Sequence, residues 1–100
     1  MTAKAANHWY VYLIRTARGA LYTGITTDVE RRFDEHQAGP PKGARSLQGK
    51  GPLTLEFRAR VPDRAAASKL EWAIKRWPRK YKEALIRGER DLPRLPDDGE

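Results

Sequence analysis

Arg32 and His36 lie one helical turn apart, where a helix that only needed packing would carry aliphatic residues. The predicted helix has an apolar stripe through Val29 and Phe33, and both polar side chains project beside this stripe. Turning a guanidinium and an imidazole inward is unfavourable unless an anionic group meets them. The pair therefore indicates a binding site for an anion.

Three further side chains could complete a phosphodiester-cleaving site: the phenols of Tyr12 and Tyr22 and the carboxylate of Glu71. Such cleavage requires a proton acceptor for water, a cation that neutralises the phosphoryl oxygens, and stabilisation of the leaving oxygen. A lone carboxylate suffices for one hard cation, typically a Mg²⁺ ion that keeps most of its waters. The sequence shows no carboxylate cluster of the kind that two-metal nucleases use.

The helix that carries Arg32 and His36 belongs to the segment 21–39, which predicts the end of a strand, a Gly turn and a helix. Thr27 is the predicted N-cap, with Glu30 as its partner in a capping box, and Gly39 is the predicted C-cap. The solvated side is predicted to carry Glu30, Arg31, Asp34 and Glu35.

The two tyrosines fall on a predicted β-hairpin. Residues 9–14 (WYVYLI) predict a buried strand, Arg18-Gly19 a turn, and residues 20–23 a second strand. Tyr12 and Tyr22 lie at comparable distances from the turn, so that their phenols can approach on one face. The alternative is that both tyrosines serve only in packing.

Residues 39–52 predict a loop with four Gly, three Pro and the cations Lys42, Arg45 and Lys50. Its composition predicts no contribution to a core, and the P-loop spacing is absent. We interpret it as a flexible arm that contacts the ligand.

The second half of the chain predicts a strand and two helices. Residues 53–61 alternate strictly, and one face is predicted to hold Leu53, Leu55, Phe57, Ala59 and Val61. Asp63 caps a predicted helix that runs to about Trp77, with an inner arc of Ala66, Leu70, Ala73, Ile74 and Trp77. Glu71 lies at the margin of this arc, and the alternative to a site role is an ordinary ion pair with Lys75. A third helix is predicted over residues 79–87, with Tyr81, Leu85 and Ile86 facing inward and Gly88 ending it.

These elements predict a mixed α/β (α+β) fold in which a three-stranded antiparallel sheet is flanked by helices, in the order β-β-α-β-α-α. The predicted divisions are a disordered N-terminus (1–7), one domain (8–88) and a loose, acidic, Pro-rich tail (89–100). Cysteine is absent, which excludes disulfides and cysteine-based zinc sites. No apolar run approaches the roughly 18 residues of a membrane span, and no signal-peptide pattern is evident, so we expect a soluble, cytoplasmic protein and, without an oligomerisation stripe, a monomer.

The net charge of +7 is unevenly distributed. The last ten residues hold one positive and four negative charges, which leaves a net charge of +10 on residues 1–90. Such a surplus favours a polyanionic partner, nucleic acid first and an anionic membrane second. The alternative is that the charge only maintains solubility.

The chain resembles the GIY-YIG nuclease superfamily over about residues 8–87. The resemblance rests on YVY at 10–12, on YTG at 22–24, and on Arg32 ten residues beyond Tyr22. Within the superfamily it is similar to the small, stand-alone bacterial YhbQ-like (UPF0213-type) group, in which a segment like LYTGITTDVERRFDEHQ precedes a Gly/Lys-rich loop and a strand. YVY stands where the superfamily motif has Gly-Ile-Tyr, and Ile25 stands where DNA-repair members can carry lysine.

The resemblance also implies a role for each site residue. Tyr22 matches the candidate general base, and Tyr12 matches the tyrosine that orients water or phosphate. Arg32 matches the arginine that stabilises the phosphate, and His36 matches a helper one turn later. Glu71 matches the glutamate that binds a single divalent ion. A free phenol has a pKa of about 10, so a tyrosine base would need positive charge nearby, which Arg32 could provide.

The implied function is a DNA endonuclease that uses one Mg²⁺ or Mn²⁺ ion, has weak sequence specificity and acts in DNA repair or recombination. Single-stranded and branched DNA are candidate substrates, and the predicted nucleic-acid contacts are Lys42, Arg45, Lys50 and Lys75. Binding through phosphates should weaken steeply with salt. Two other classes stay open: a non-catalytic nucleic-acid-binding module, and an adaptor that recruits a protein through the basic surface.

Overall fold

Three strands form one antiparallel sheet, as predicted. In the computed structural model, which describes residues 8–94, they are β1 (Trp9–Arg15), β2 (Leu21–Thr26) and β3 (Thr54–Val61), and their spatial order is β2-β1-β3. The predicted disordered N-terminus and the last six residues of the predicted tail lie outside the described residues. Aromatic and β-branched residues without a polar break make β1 the central strand, paired on both edges.

Three helices complete the fold: α1 (Val29–Ala38), α2 (Arg64–Lys75) and α3 (Arg79–Ile86). The predicted cap of α1 at Thr27 is wrong, because Asp28 accepts the hydrogen bond from the Arg31 N–H and leaves the helix to begin one residue later. Asp63 caps α2 as predicted. None of the helices among the described residues is long and apolar enough to cross a membrane.

The sheet separates two clusters of buried side chains. On what we call the aliphatic face, Val11 and Leu13 pack against α2 and α3 together with Val61, Ala67, Leu70, Ile74 and Leu85. On what we call the tyrosine face, Tyr12 and Ile14 pack with Leu47 and Leu53, and Tyr22 and Phe33 of α1 border this cluster. Successive residues of a strand point to opposite faces, so β1 supplies both clusters.

A register shift divides β3 between these clusters, and the prediction of one continuous apolar face is wrong. Leu13 pairs with Phe57 and Ile14 pairs with Leu55, which leaves Glu56 without a partner in the ladder. An extra residue of this kind, a β-bulge, reverses the alternation. Phe57 therefore packs on the aliphatic face, whereas Leu55 packs on the tyrosine face.

Two segments predicted to be loose are packed. The loop 39–52 contains a 3-10 turn (Arg45–Leu47), and Leu47 is buried in the core of the tyrosine face, contrary to the prediction from composition. After α3, the guanidinium of Arg90 stacks 3.7 Å from the ring centre of Tyr81. Leu92 packs against the aliphatic face, so the first residues of the predicted tail belong to the folded body.

Candidate active site

The phenol of Tyr12 lies directly over the backbone of Gly24, its partner on β2. A Cβ atom on Gly24 would overlap the hydroxyl oxygen of Tyr12, so any other residue would displace the ring. A glycine within a strand often marks such a close approach. The glycine of the YTG segment therefore has a steric role: it makes room for the first tyrosine.

His36 holds the phenol of Tyr12 from α1. Its Nε2 atom is 2.9 Å from the Tyr12 hydroxyl oxygen, and its Nδ1 atom accepts a hydrogen bond of 3.0 Å from the Ala44 N–H. Because Nδ1 acts as an acceptor, the neutral ring must carry its proton on Nε2 and donate it to Tyr12. The Tyr12 oxygen is then the acceptor, and its own hydrogen stays available for another group.

The electrostatics favour this proton arrangement. Burial, followed by the positive charge of Arg32, lowers the pKa of His36, which keeps the imidazole neutral. Burial, reinforced by the phenol of Tyr22, raises the pKa of Tyr12 well above the ordinary value, although Arg32 acts in the opposite direction. Tyr12 is therefore a protonated hydrogen-bond donor near neutral pH.

Tyr22 lies beside this pair and is only half-buried. Its ring centre is 6.3 Å from that of Tyr12 and 5.4 Å from that of His36, which it meets edge to face. The register places Tyr22 opposite Ile14, diagonal to Tyr12 on the same face. Of the two phenols, that of Tyr22 is the more accessible to a ligand.

Arg32 is oriented by two acceptors. One of its Nη atoms donates to Glu35 at 2.8 Å and to the Lys42 carbonyl at 2.7 Å. Its side chain is 30% exposed, so part of the guanidinium faces solvent. Glu35 was predicted to lie on the solvated side of the helix, but it is half-buried against Arg32. The contact fixes the arginine without consuming all five of its N–H donors.

Glu71 lies on α2. Burial and the phenol of Tyr22 are the main causes of the raised pKa of Tyr12, and the negative charge of Glu71 adds a smaller contribution in the same direction. The side chain is one-quarter exposed and forms an ion pair of 3.0 Å with Lys75, the pairing offered as the alternative to a site role. The structure thus brings Glu71 within electrostatic range of Tyr12 and also gives it a local partner.

The four predicted nucleic-acid contacts differ in their surroundings. Lys42 contributes its carbonyl to Arg32, and Arg45 begins the 3-10 turn. Lys50 is exposed in the loop, whereas the ammonium of Lys75 is engaged by Glu71. Within residues 8–94 no group of three or more His, Cys, Asp or Glu side chains is arranged to hold a metal ion.

Two contributors to the site were not predicted as site residues. Glu35 was missed because the helical wheel ranks it as solvated, although its i, i+3 spacing to Arg32 is that of a helix ion pair. The Ala44 N–H, which fixes the tautomer of His36, carries no sequence signal, since any residue but proline would offer it.

Comparison with known proteins identifies the family. Residues 8–84 match the sequence model of the GIY-YIG catalytic domain, and the chain belongs to this family of nuclease domains. The UPF0213 protein of Citrobacter koseri is 58% identical over 78 residues, which are 78% of this chain and 76% of that protein. The UPF0213 protein YhbQ of Salmonella typhimurium has the same identity and coverage.

Two solution NMR structures have a similar fold. A UPF0213 protein from Bacillus halodurans is 36% identical, with a TM-score of 0.53 and coverage of 82% of this chain and 85% of that one. A protein from E. faecalis is 29% identical, with a TM-score of 0.59 and coverage of 86% and 90%. The predicted superfamily, its UPF0213-type group and the α+β fold are confirmed.

Proposed function

We propose that this protein is a DNA endonuclease that hydrolyses phosphodiester bonds with one divalent ion, Mg²⁺ or Mn²⁺. The observation that carries the proposal is the cluster formed by Tyr12, Tyr22, Arg32 and His36, with the charge of Glu71 acting on it. A fold that needed only a core would fill this face with aliphatic side chains, as it does the opposite face.

Accessibility divides the proposed roles. Tyr22, Arg32 and Glu71 are partly exposed and are the proposed catalytic residues. Tyr12 and His36 are 2% and 3% exposed. Through its hydrogen bond, His36 holds Tyr12 in place and acts as a positioning residue. Tyr12 keeps a hydrogen with which to orient water or a phosphoryl oxygen.

Hydrolysis adds water across a P–O bond, so one proton must leave the attacking water and one must reach the departing oxygen. Tyr22 is the proposed acceptor of the first proton, as its phenol is the accessible one, and it would release its own hydroxyl hydrogen to solvent as it accepts. A solvent water would supply the proton that the departing oxygen takes. Arg32 is the proposed ligand of the non-bridging phosphoryl oxygens, because a guanidinium presents several donors in a plane.

A hard divalent cation fits the donor present. Glu71 offers a single, partly exposed carboxylate, the ligand type that a largely hydrated Mg²⁺ or Mn²⁺ ion takes. Such an ion would neutralise charge that develops on the phosphoryl oxygens. Lys75 occupies one oxygen of Glu71 and would have to yield it, which its 54% exposed side chain permits.

The proposed endonuclease has weak sequence specificity and acts in DNA repair or recombination. The cations proposed to contact DNA, namely Lys42, Arg45, Lys50 and Lys75, are exposed and suited to phosphates rather than to base edges. Single-stranded and branched DNA are the substrates to compare first.

Cleavage assays with matched variants test the proposal. Plasmid, single-stranded and branched DNA, with RNA alongside, are incubated with Mg²⁺, with Mn²⁺ or with EDTA. Tyr22→Phe, Arg32→Gln and Glu71→Gln should each lower kcat/KM at least about 100-fold, the usual contribution of a positioned acid, base or electrostatic group. Tyr81→Phe and Glu89→Gln make the same chemical changes on or just after α3 and should leave the rate unchanged.

DNA binding in EDTA separates the enzyme from its alternatives. The proposal holds if Glu71→Gln abolishes cleavage and still binds DNA. Binding without cleavage in any divalent ion would instead identify a nucleic-acid-binding module. If the protein binds neither DNA nor RNA at low salt, the result would favour the adaptor that recruits a protein.

A further inference from the structure

A groove runs from Tyr22 to the turn between β1 and β2. Its outer part is a cavity of about 450 Å³, lined by Thr16, Ala17, Arg18, Ala20, Gln48, Gly49, Lys50 and Gly51. Its inner part, of about 180 Å³, shares Thr16, Ala20 and Lys50 with the first and reaches Tyr22. The outer part alone lies within the range of about 300–1,000 Å³ typical of small-molecule sites.

Hydrogen bonds fix both walls of the groove. The Ala17 N–H donates to the Lys50 carbonyl at 3.0 Å and thereby joins the turn to the loop. On the far side of the turn, Arg79 of α3 donates to the Gly19 carbonyl at 2.6 Å. The loop was interpreted as a flexible arm, but at this point it is hydrogen-bonded to the hairpin turn and forms a wall of the groove.

The groove carries positive charge that no acidic residue in its lining compensates. Its lining includes Arg18 and Lys50 and no acidic residue. Neither cation forms an ion pair or a side-chain hydrogen bond within residues 8–94, in contrast to Arg32 and Lys75. The Gly49 and Gly51 N–H groups likewise donate no hydrogen bond within that part of the chain. Free cations beside free amides are the chemistry that recognises a phosphate.

We infer that this groove is a subsite for the nucleotide that flanks the scissile phosphate, with Arg18 and Lys50 binding its own phosphate. The inference rests on the proposed nuclease function, because Tyr22 marks the inner end of the groove. The volume admits a whole nucleotide rather than a phosphate alone, and a strand that leaves Tyr22 along the groove meets both cations.

The test compares a substrate that fills the groove with one that does not. Bis(p-nitrophenyl) phosphate has a scissile diester and no flanking phosphate, whereas a single-stranded hexanucleotide has both. For Arg18→Gln/Lys50→Gln, the ratio of kcat/KM for the hexanucleotide to that for the small diester should fall at least tenfold. Lys80→Gln/Arg87→Gln removes the same charge on α3 and at its end, and should preserve the ratio.

Binding of the hexanucleotide in EDTA gives a readout that needs no cleavage. Loss of the contact to this one phosphate should reduce the slope of log K against log salt by about 0.7, the value for one neutralised phosphate on a single strand. An unchanged ratio and slope, with cleavage intact, overturns the subsite and leaves the nuclease proposal standing. A lowered slope with no hydrolysis of either substrate overturns the nuclease proposal but supports nucleotide binding in the groove.

Discussion

The two faces of the sheet are equally well buried but chemically different. Leu13 is 0% exposed among aliphatic side chains, whereas the adjacent Tyr12 is 2% exposed beside an imidazole and a guanidinium. Burial of apolar surface stabilises the first face directly. On the second, polar groups are desolvated and must be satisfied by hydrogen bonds. We infer that the aliphatic face holds the fold, so that the tyrosine face can retain groups useful for chemistry.

Removing apolar volume from the aliphatic face should give the largest loss of stability. Leu13→Ala deletes a fully buried side chain on the central strand, and the expected loss is about 2–5 kcal/mol in the free energy of unfolding. Urea unfolding measures it. Leu21→Ala, on the half-buried edge of the sheet, is the matched control and should lose less. Equal losses would contradict the assignment of this stability to fully buried apolar volume.

Gly24→Ala should disturb the tyrosine face at its tightest point. The new Cβ atom would overlap the phenol of Tyr12, so the ring must leave His36, and overpacking of this kind destabilises by about 1–3 kcal/mol. The proposed cleavage should be lost with it. Gly51→Ala introduces the same atom at ordinary contact distances and should unfold like the wild type.

A folded Gly24→Ala variant with normal cleavage would contradict the role assigned to the buried phenol. The readouts are urea unfolding and the plasmid assay on the same samples, so that loss of structure is separated from loss of chemistry.

The features that the sequence predicted depend on local signals, whereas the features that it missed depend on tertiary pairing. The hairpin and the Asp63 cap depend on residues close in sequence, and both are present. The reversal at Glu56 depends on which β1 residue each β3 residue faces, which no periodicity encodes. Leu47 is buried because the tyrosine face needs a cover, although its neighbours in sequence are typical of a loop. The short distances among the site residues likewise belong to the fold.

The pH dependence of stability should distinguish the two faces. Folding lowers the pKa of His36, so the unfolded chain binds the proton more tightly, and stability is lost as the pH falls below about 6.5. The slope is at most about 1.4 kcal/mol per pH unit for one proton. On the other face, Arg15 lowers the pKa of Glu83 to about 2, so that contribution is lost only between about pH 4.5 and pH 2.

Urea unfolding from pH 8 to pH 4.5 isolates the first window. His36→Gln should flatten the curve there, while the exposed His8 remains in both proteins as an internal reference. A curve that stays steep between pH 6.5 and pH 4.5 in His36→Gln would assign the effect to another group.

Thr23 is the exception within the aliphatic face, and it gives the smallest expected effect. Thr23 is 3% exposed and pairs with Leu13. Within residues 8–94, its hydroxyl is the one buried side-chain oxygen or nitrogen that has no hydrogen-bond partner. Thr23→Val keeps the branched shape and removes the unsatisfied group, so it should stabilise the protein by about 1 kcal/mol. Thr26→Val removes a hydroxyl that is hydrogen-bonded to Asp28 and should destabilise instead.

Opposite signs for these two threonine substitutions, measured by urea unfolding, would show that the aliphatic face tolerates polar groups only at a loss of stability. If Thr23→Val destabilises the protein as Thr26→Val does, its hydroxyl has a partner when folded. The two faces would then differ less in chemistry, because the buried polar groups would be hydrogen-bonded on both.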